Sequence, residues 1–103
     1  MNSIITNNKS EIEKICKQHK IKKLYAFGSV CTDKFNEKSD VDLIVYVSEE
    51  NPVEKGELLL NIWDKFENLF KRKVDLLTDQ IIENQIFKNI IENSKILIYG
   101  REN

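Results

Sequence analysis

The sequence predicts a small α/β (α+β) domain: a mixed β-sheet with helices packed on it, in the order α-β-β-α-β-α-β. Three observations predict it. Apolar residues at every second position, Val41, Leu43, Val45 and Val47, mark a strand with one apolar face. Between the strand-like segments lie long stretches with helical periodicity. Only three glycines and one proline interrupt 103 residues, so no linker or repeat divides the chain. Short strands separated by helices fit one sheet with helices against it, and the whole span 1–103 is expected to form a single domain.

The elements follow in order. Ser10-Glu11-Ile12-Glu13 has capping-box spacing and opens a helix whose Ile12, Ile15 and Cys16 form an apolar stripe. That helix ends near His19 and Lys20, cations suited to a helix C-terminus. Ile21 to Phe27 is rich in β-formers and stops at Gly28-Ser29. Val30 to Ser39 is polar and irregular, a loop with room for one helical turn. In the next strand Val41, Leu43, Val45 and Val47 share one face, and Asp40, Asp42, Ile44 and Tyr46 the other. Asn51-Pro52 starts a helix, with proline where its missing N–H costs nothing. On a helical wheel Leu58, Leu59, Ile62, Trp63, Phe66, Leu69 and Phe70 fall within an arc of about 140°, with Leu60 just outside. Trp63, at the edge of that arc, reads as core, the alternative being that it and Leu60 belong to a protein interface. Lys71-Arg72-Lys73 reads as a solvated helix terminus before a strand at Val74 to Leu77. Thr78 or Asp79 caps a last helix to about Glu92, in which Ile82, Ile86, Phe87, Ile90 and Ile91 spread over half the wheel. Lys95 to Tyr99 ends the chain as a strand.

Composition excludes several function classes. Sixteen Lys+Arg against seventeen Asp+Glu leave a net charge of -1. Coating nucleic acid requires a large basic excess, so direct nucleic-acid binding is not expected. No apolar run approaches the ~20 residues a membrane span needs. Met1 to Ser10 lack the apolar stretch of a signal peptide. Cys16 and Cys31 read as reduced thiols, and the expected location is cytoplasmic.

Three carboxylates stand where strands disfavour them. Asp40 and Asp42 open one strand and point to the same side, and Asp75 sits inside another. If those strands are neighbours, the three come together. Two unit charges 4 Å apart repel by about 4 kcal/mol at an effective dielectric near 20, so such a cluster needs a cation or a proton. All-oxygen donors select Mg²⁺ or Mn²⁺ over zinc. Gly28-Ser29, at a strand end, can offer amides and a hydroxyl to phosphate oxygens. Taken alone it is an ordinary turn.

The combination is more specific. Phe27-Gly28-Ser29, ten residues, Asp40-Val41-Asp42 and a later Val74-Asp75-Leu76 resemble the minimal nucleotidyltransferases (MNT) of the DNA polymerase beta superfamily. Element order and length match over essentially the whole chain. The resemblance implies a polymerase-beta-like nucleotidyltransferase fold and a metal-dependent transfer of a nucleotide, AMP from ATP, to a hydroxyl. It implies that Asp40 and Asp42 hold two Mg²⁺ ions (or Mn²⁺), that Asp75 completes the catalytic site, and that Gly28 and Ser29 bind the triphosphate. It also implies a HEPN-family toxin as partner, with this chain as its antitoxin. Many family members carry arginines after Gly-Ser. Here Val30, Cys31, Thr32 and Asp33 follow, and Lys34 and Lys38 are the nearby cations. The alternative is therefore a catalytically weak or inactive module that neutralises its partner by occlusion. A domain this small has no separate acceptor-binding module, so the acceptor hydroxyl is expected on a partner protein docked over the strand ends that carry the aspartates.

Overall fold

The computed structural model describes residues 3–78 and 85–101. A short helix α1 (Ser3–Thr6) leads into α2 (Lys9–Gln18), then β1 (Ile21–Phe27), a 3₁₀ turn (Gly28–Cys31) and β2 (Val41–Val47). Helix α3 (Pro52–Phe70), β3 (Val74–Thr78), α4 (Gln85–Ser94) and β4 (Ile96–Tyr99) follow. The four strands form one sheet in the order β3-β2-β1-β4. β1 runs antiparallel to β2 and to β4, while β2 and β3 are parallel. The predicted mixed sheet is therefore present, and each strand lies within one residue of its predicted bounds.

Alternation in β1 and β2 divides the core between the two sheet faces. Val41, Leu43, Val45, Leu24 and Ala26 meet Ile12, Ile15 and Cys16 of α2 and Ile62, Phe66 and Phe70 of α3 on one face. Tyr25 and Ile44 meet Ile91 of α4 on the other. The stripe expected of Ile82, Ile86, Phe87 and Ile90 falls outside the described side chains, as does the cap at Asp79. Thr78 ends β3 and is buried, and the residues it was expected to cap lie outside the described ones.

Helix α3 starts as its sequence requires. The Asn51 side chain accepts hydrogen bonds from the amides of Val53 (3.0 Å) and Glu54 (3.1 Å), and Pro52 occupies the first turn. It stops at Lys71, which adopts left-handed φ 56° and donates its amide to the Glu67 carbonyl at 2.9 Å. Helix α2 differs from expectation. It begins at Lys9, one residue before the predicted Ser10 cap, and no side chain caps it. The preceding turn of α1, which buries Ile5, brings in the chain, and the Asn8 carbonyl receives the Ile12 amide at 2.9 Å. His19 ends α2 as expected, its Nδ1 donating to the Ile15 carbonyl at 2.8 Å.

Trp63 is not core. It is 41% exposed, and Leu60 beside it is 62% exposed. The buried arc of α3 is narrower than the apolar arc of its sequence, because only Ile62, Phe66 and Phe70 face the sheet squarely. Among the described residues, no helix is long and apolar enough to cross a membrane.

Candidate active site

The strand directions bring three separate segments to one end of the sheet. β2 and β3 are parallel, so both begin there. β1 is antiparallel to β2, so it ends there, with Phe27 opposite Asp42. Asp42 and Asp75 are each the second residue of their strand and lie in register with one another. In-register residues of a parallel pair point to the same face. The two carboxyls share a hydrogen bond.

Gly28 follows directly on β1 and closes over Asp42. Its φ is 73°, in the left-handed region, and a Cβ built there would stand 2.5 Å from Asp42 Oδ2. Glycine is needed twice, for the backbone turn and for the close approach. Ser29 lies in the 3₁₀ turn that follows. Its carbonyl accepts from the Thr32 amide at 3.0 Å and from Thr32 Oγ1 at 2.9 Å, which pins the turn.

The electrostatics follow from this crowding. Burial pushes the Asp42 carboxyl up to about 6; the hydrogen bond and charge of Asp75, and then the charge of Asp40, add to the effect. A hydrogen bond between two carboxyls requires a proton. At neutral pH a cation can take that proton's place.

Asp40 lies beside the pair, with its carboxylate 3.9 Å from Lys73 Nζ. Among the described residues no three acidic, histidine or cysteine side chains surround a common point closely enough to enclose a metal ion. The donor chemistry still fits a hard divalent cation. Asp42 and Asp75 supply only oxygens, repel one another when both are charged, and open to solvent at Asp75. Of the five residues singled out from sequence, the fold thus joins Gly28, Asp42 and Asp75 in direct contact, with Asp40 and Ser29 adjoining. Lys34 and Lys38 are exposed on the loop beyond.

Arg72 is the residue that sequence reasoning missed. It is no solvated helix end. Its Nη1 donates to the carbonyls of Asn36 (2.9 Å) and Ser39 (3.0 Å), and its guanidinium stacks 4.5 Å from the Phe35 ring centroid. Beside it, the Lys73 carbonyl accepts the Val41 amide at 3.1 Å. The segment before β3 therefore ties down the loop that delivers Asp40 and Asp42. The available signal was an arginine between two lysines, since a planar guanidinium can hold two carbonyls and stack at once. Arg72→Ala is expected to lower stability by about 1–2 kcal/mol and to make the Phe35–Ser39 loop sensitive to protease. A urea melt and limited proteolysis check both, and Arg72→Lys should restore only part of the loss.

Neither cysteine offers a nucleophile. Both are free thiols. Burial pushes Cys16 up to about 12 and raises Cys31 as well.

Residues 10–103 match the family described as polymerase beta, nucleotidyltransferase, and the chain belongs to that family. Two relatives from Methanocaldococcus jannaschii, named as protein adenylyltransferases, are 32% and 31% identical to it over 97 residues. In each case the match covers 86% of this chain and 96% of the relative. Solved structures share the fold. A toxin–antitoxin structure with AMP-PNP gives a TM-score of 0.68 at 19% identity, over 92% of this chain and 75% of that one. The complex of a tri-AMPylated Shewanella oneidensis HEPN toxin with its MNT antitoxin gives 0.61 at 17% identity, over 94% and 73%.

Proposed function

We propose that this protein transfers AMP from ATP to a hydroxyl group on a partner protein, and that it acts as the antitoxin of a HEPN-family toxin. The observation that carries the proposal is the Asp42–Asp75 carboxyl pair closed against Gly28. With both carboxyls charged, such a pair is unfavourable unless a cation serves it. The names of the relatives support adenylyl transfer to protein, and the tri-AMPylated toxin in the Shewanella complex supports the acceptor class. The two free thiols fit a reducing, cytoplasmic setting.

In this reading Asp40, Asp42 and Asp75 hold two Mg²⁺ ions, which Mn²⁺ can replace. When bound, the ions neutralise charge on the triphosphate and lower the pKa of the incoming hydroxyl. Gly28 keeps the backbone low enough for the triphosphate to approach, and Ser29 donates its hydroxyl to a phosphate oxygen. Asp75, the more exposed carboxylate, takes the proton of the acceptor hydroxyl. That oxygen bonds to the α-phosphorus, and the bond to the pyrophosphate leaving group breaks.

Co-expression with a HEPN-domain protein of the same genome tests the proposal. Mass spectrometry should find one or more AMP adducts on the partner, on a tyrosine if its hydroxyl is the acceptor. A silenced partner that carries no adduct would instead support occlusion, the reading favoured by Val30, Cys31, Thr32 and Asp33 following Gly28-Ser29 in place of the arginines that the family resemblance implies there.

Ser29→Ala is expected to weaken ATP binding about 10-fold or more, since a hydrogen bond to a charged group is worth roughly 1.5–3 kcal/mol. The melting temperature should not move. Wild-type ATP affinity in that variant would make Gly28-Ser29 an ordinary turn.

A further inference from the structure

We infer that Lys73 is the resident counter-ion of Asp40, that its ammonium and a divalent cation compete for that carboxylate, and that phosphate oxygens of the nucleotide take up the ammonium once it is displaced. Lys73 thereby couples cation binding to nucleotide binding. The inference rests on the transfer reading above and adds to it a residue outside the Gly28-Ser29 turn and the three aspartates.

Strand register brings Lys73 to the site. Val41 pairs with Val74, and Asp42 with Asp75. One step outward the Lys73 carbonyl accepts the Val41 amide at 3.1 Å, which sets Lys73 opposite Asp40. The residues on either side hold this backbone in place. Arg72 donates to the carbonyls of Asn36 and Ser39. Val74 is gripped from α3: its amide donates to Glu67 Oε2 at 3.0 Å, and its carbonyl accepts from Trp63 Nε1 at 2.7 Å.

The Lys73 side chain is held far less firmly. It is 66% exposed, and its Nζ lies 3.9 Å from Asp40 Oδ2. That is an ion pair too long for a hydrogen bond, and so exposed a pair is weak enough to be exchanged for a better partner. Among the described residues, Lys73 is the cation seen in an ion pair with a site aspartate.

Charge decides what the pair does. In the metal-free protein the ammonium offsets part of the negative charge of Asp40, Asp42 and Asp75. A divalent cation on Asp40 meets that ammonium as a like charge at short range, so Lys73 lowers the cation affinity of the nucleotide-free site. A bound triphosphate reverses the sign. Its charge and that of the carboxylates together exceed what two divalent ions carry, and a further cation becomes favourable. Val30, Cys31, Thr32 and Asp33 after Gly28-Ser29 supply none. A lysine ammonium on a flexible stem can serve both partners from one backbone position. Linkage is reciprocal, so the cation tightens nucleotide binding by the factor by which the nucleotide tightens cation binding.

Calorimetry on the full chain at low ionic strength tests the inference, with Mn²⁺ alone, with ATP plus Mn²⁺, and with tripolyphosphate plus Mn²⁺. Lys73→Met keeps the aliphatic stem and removes the charge. It should bind Mn²⁺ alone about 3- to 5-fold more tightly than wild type, the scale of an exposed ion pair. In the presence of Mn²⁺ it should bind ATP about 10-fold more weakly, the scale of a hydrogen bond to a charged group, and tripolyphosphate more weakly by the same factor. Lys73→Arg should bind ATP as the wild type does. Lys71→Met, which removes an equal charge from an exposed position two residues away, should shift neither affinity. The inference is overturned if the wild type binds no Mn²⁺, or if Lys73→Met binds Mn²⁺ alone no more tightly than wild type, since Lys73 is then a structural counter-ion only. Unchanged ATP affinity in Lys73→Met, or an equal shift in Lys71→Met, overturns it as well. The two predicted shifts without an AMP adduct on the co-expressed partner defeat the transfer reading and leave the role of Lys73 standing. An adduct with unshifted affinities in Lys73→Met does the reverse.

Discussion

Asp42→Asn is expected to abolish nucleotide transfer and, in the absence of divalent cations, to stabilise the fold. The carboxylate sits under Gly28, beside Asp75, with Asp40 nearby, and its pKa rises from 3.8 to about 6. An acid with a raised folded-state pKa binds its proton more tightly folded than unfolded. Its contribution is therefore most favourable below about pH 3.8, declines as pH rises, and is a full penalty above about pH 6. The amide carries no such penalty. After discounting for the partial exposure of Asp42, the gain at pH 8 is about 1 kcal/mol, or about 4–8 °C in melting temperature. The difference between wild type and variant should shrink toward pH 4. Mn²⁺ should raise the melting temperature of the wild type and leave that of the variant nearly unchanged. Transfer should fall by at least ~10³, the scale of losing a charge-stabilising group at a reacting centre. A variant that is less stable than wild type at pH 8 without metal would contradict the account of the carboxyl pair.

The second large effect belongs to Gly28→Ala. Two costs coincide at this position. A left-handed backbone angle in a non-glycine residue costs on the order of 1–3 kcal/mol. The new methyl would also collide with Asp42 Oδ2 at 2.5 Å, so either the carboxylate or the turn must move. We expect a stability loss of about 2 kcal/mol or more and transfer reduced at least ~100-fold, since small misplacements at a reacting centre have effects of this size. Mn²⁺ calorimetry separates the two costs. The methyl displaces the carboxylate itself, so cation affinity should fall even at temperatures where the variant is fully folded. Wild-type Mn²⁺ affinity in folded Gly28→Ala would show that the glycine serves the backbone alone.

Much of the candidate site was legible because its chemistry conflicts with local preference. Aspartates in strands and a Gly-Ser at a strand end are poor choices for folding alone, and the one-residue alternation of β2 assigns Asp40 and Asp42 to a face without further information. Arg72 was not legible. In sequence it is one cation of three after a helix, and its role depends on Asn36 and Ser39, more than thirty positions away. Trp63 misled for a related reason. Its apolar bulk fits the core arc of α3, but its indole N–H is used at the Val74 carbonyl, and that bond holds the ring over the edge of β3.

The sequence by itself determined the elements, the sheet face of each aspartate and the end of β1 at which the chain turns, because these follow from side-chain period and local backbone preference. The tertiary structure alone decided that β2 and β3 are parallel neighbours in the register that sets Asp42 beside Asp75. It alone placed Gly28 against that pair and, among the described strands, put β3 at the end of the sheet. Strand order and register come from long-range burial on both faces of the sheet, in which α2 and α3 cover one side and Ile91 of α4 packs on the other, and no local pattern in the chain encodes which strands meet.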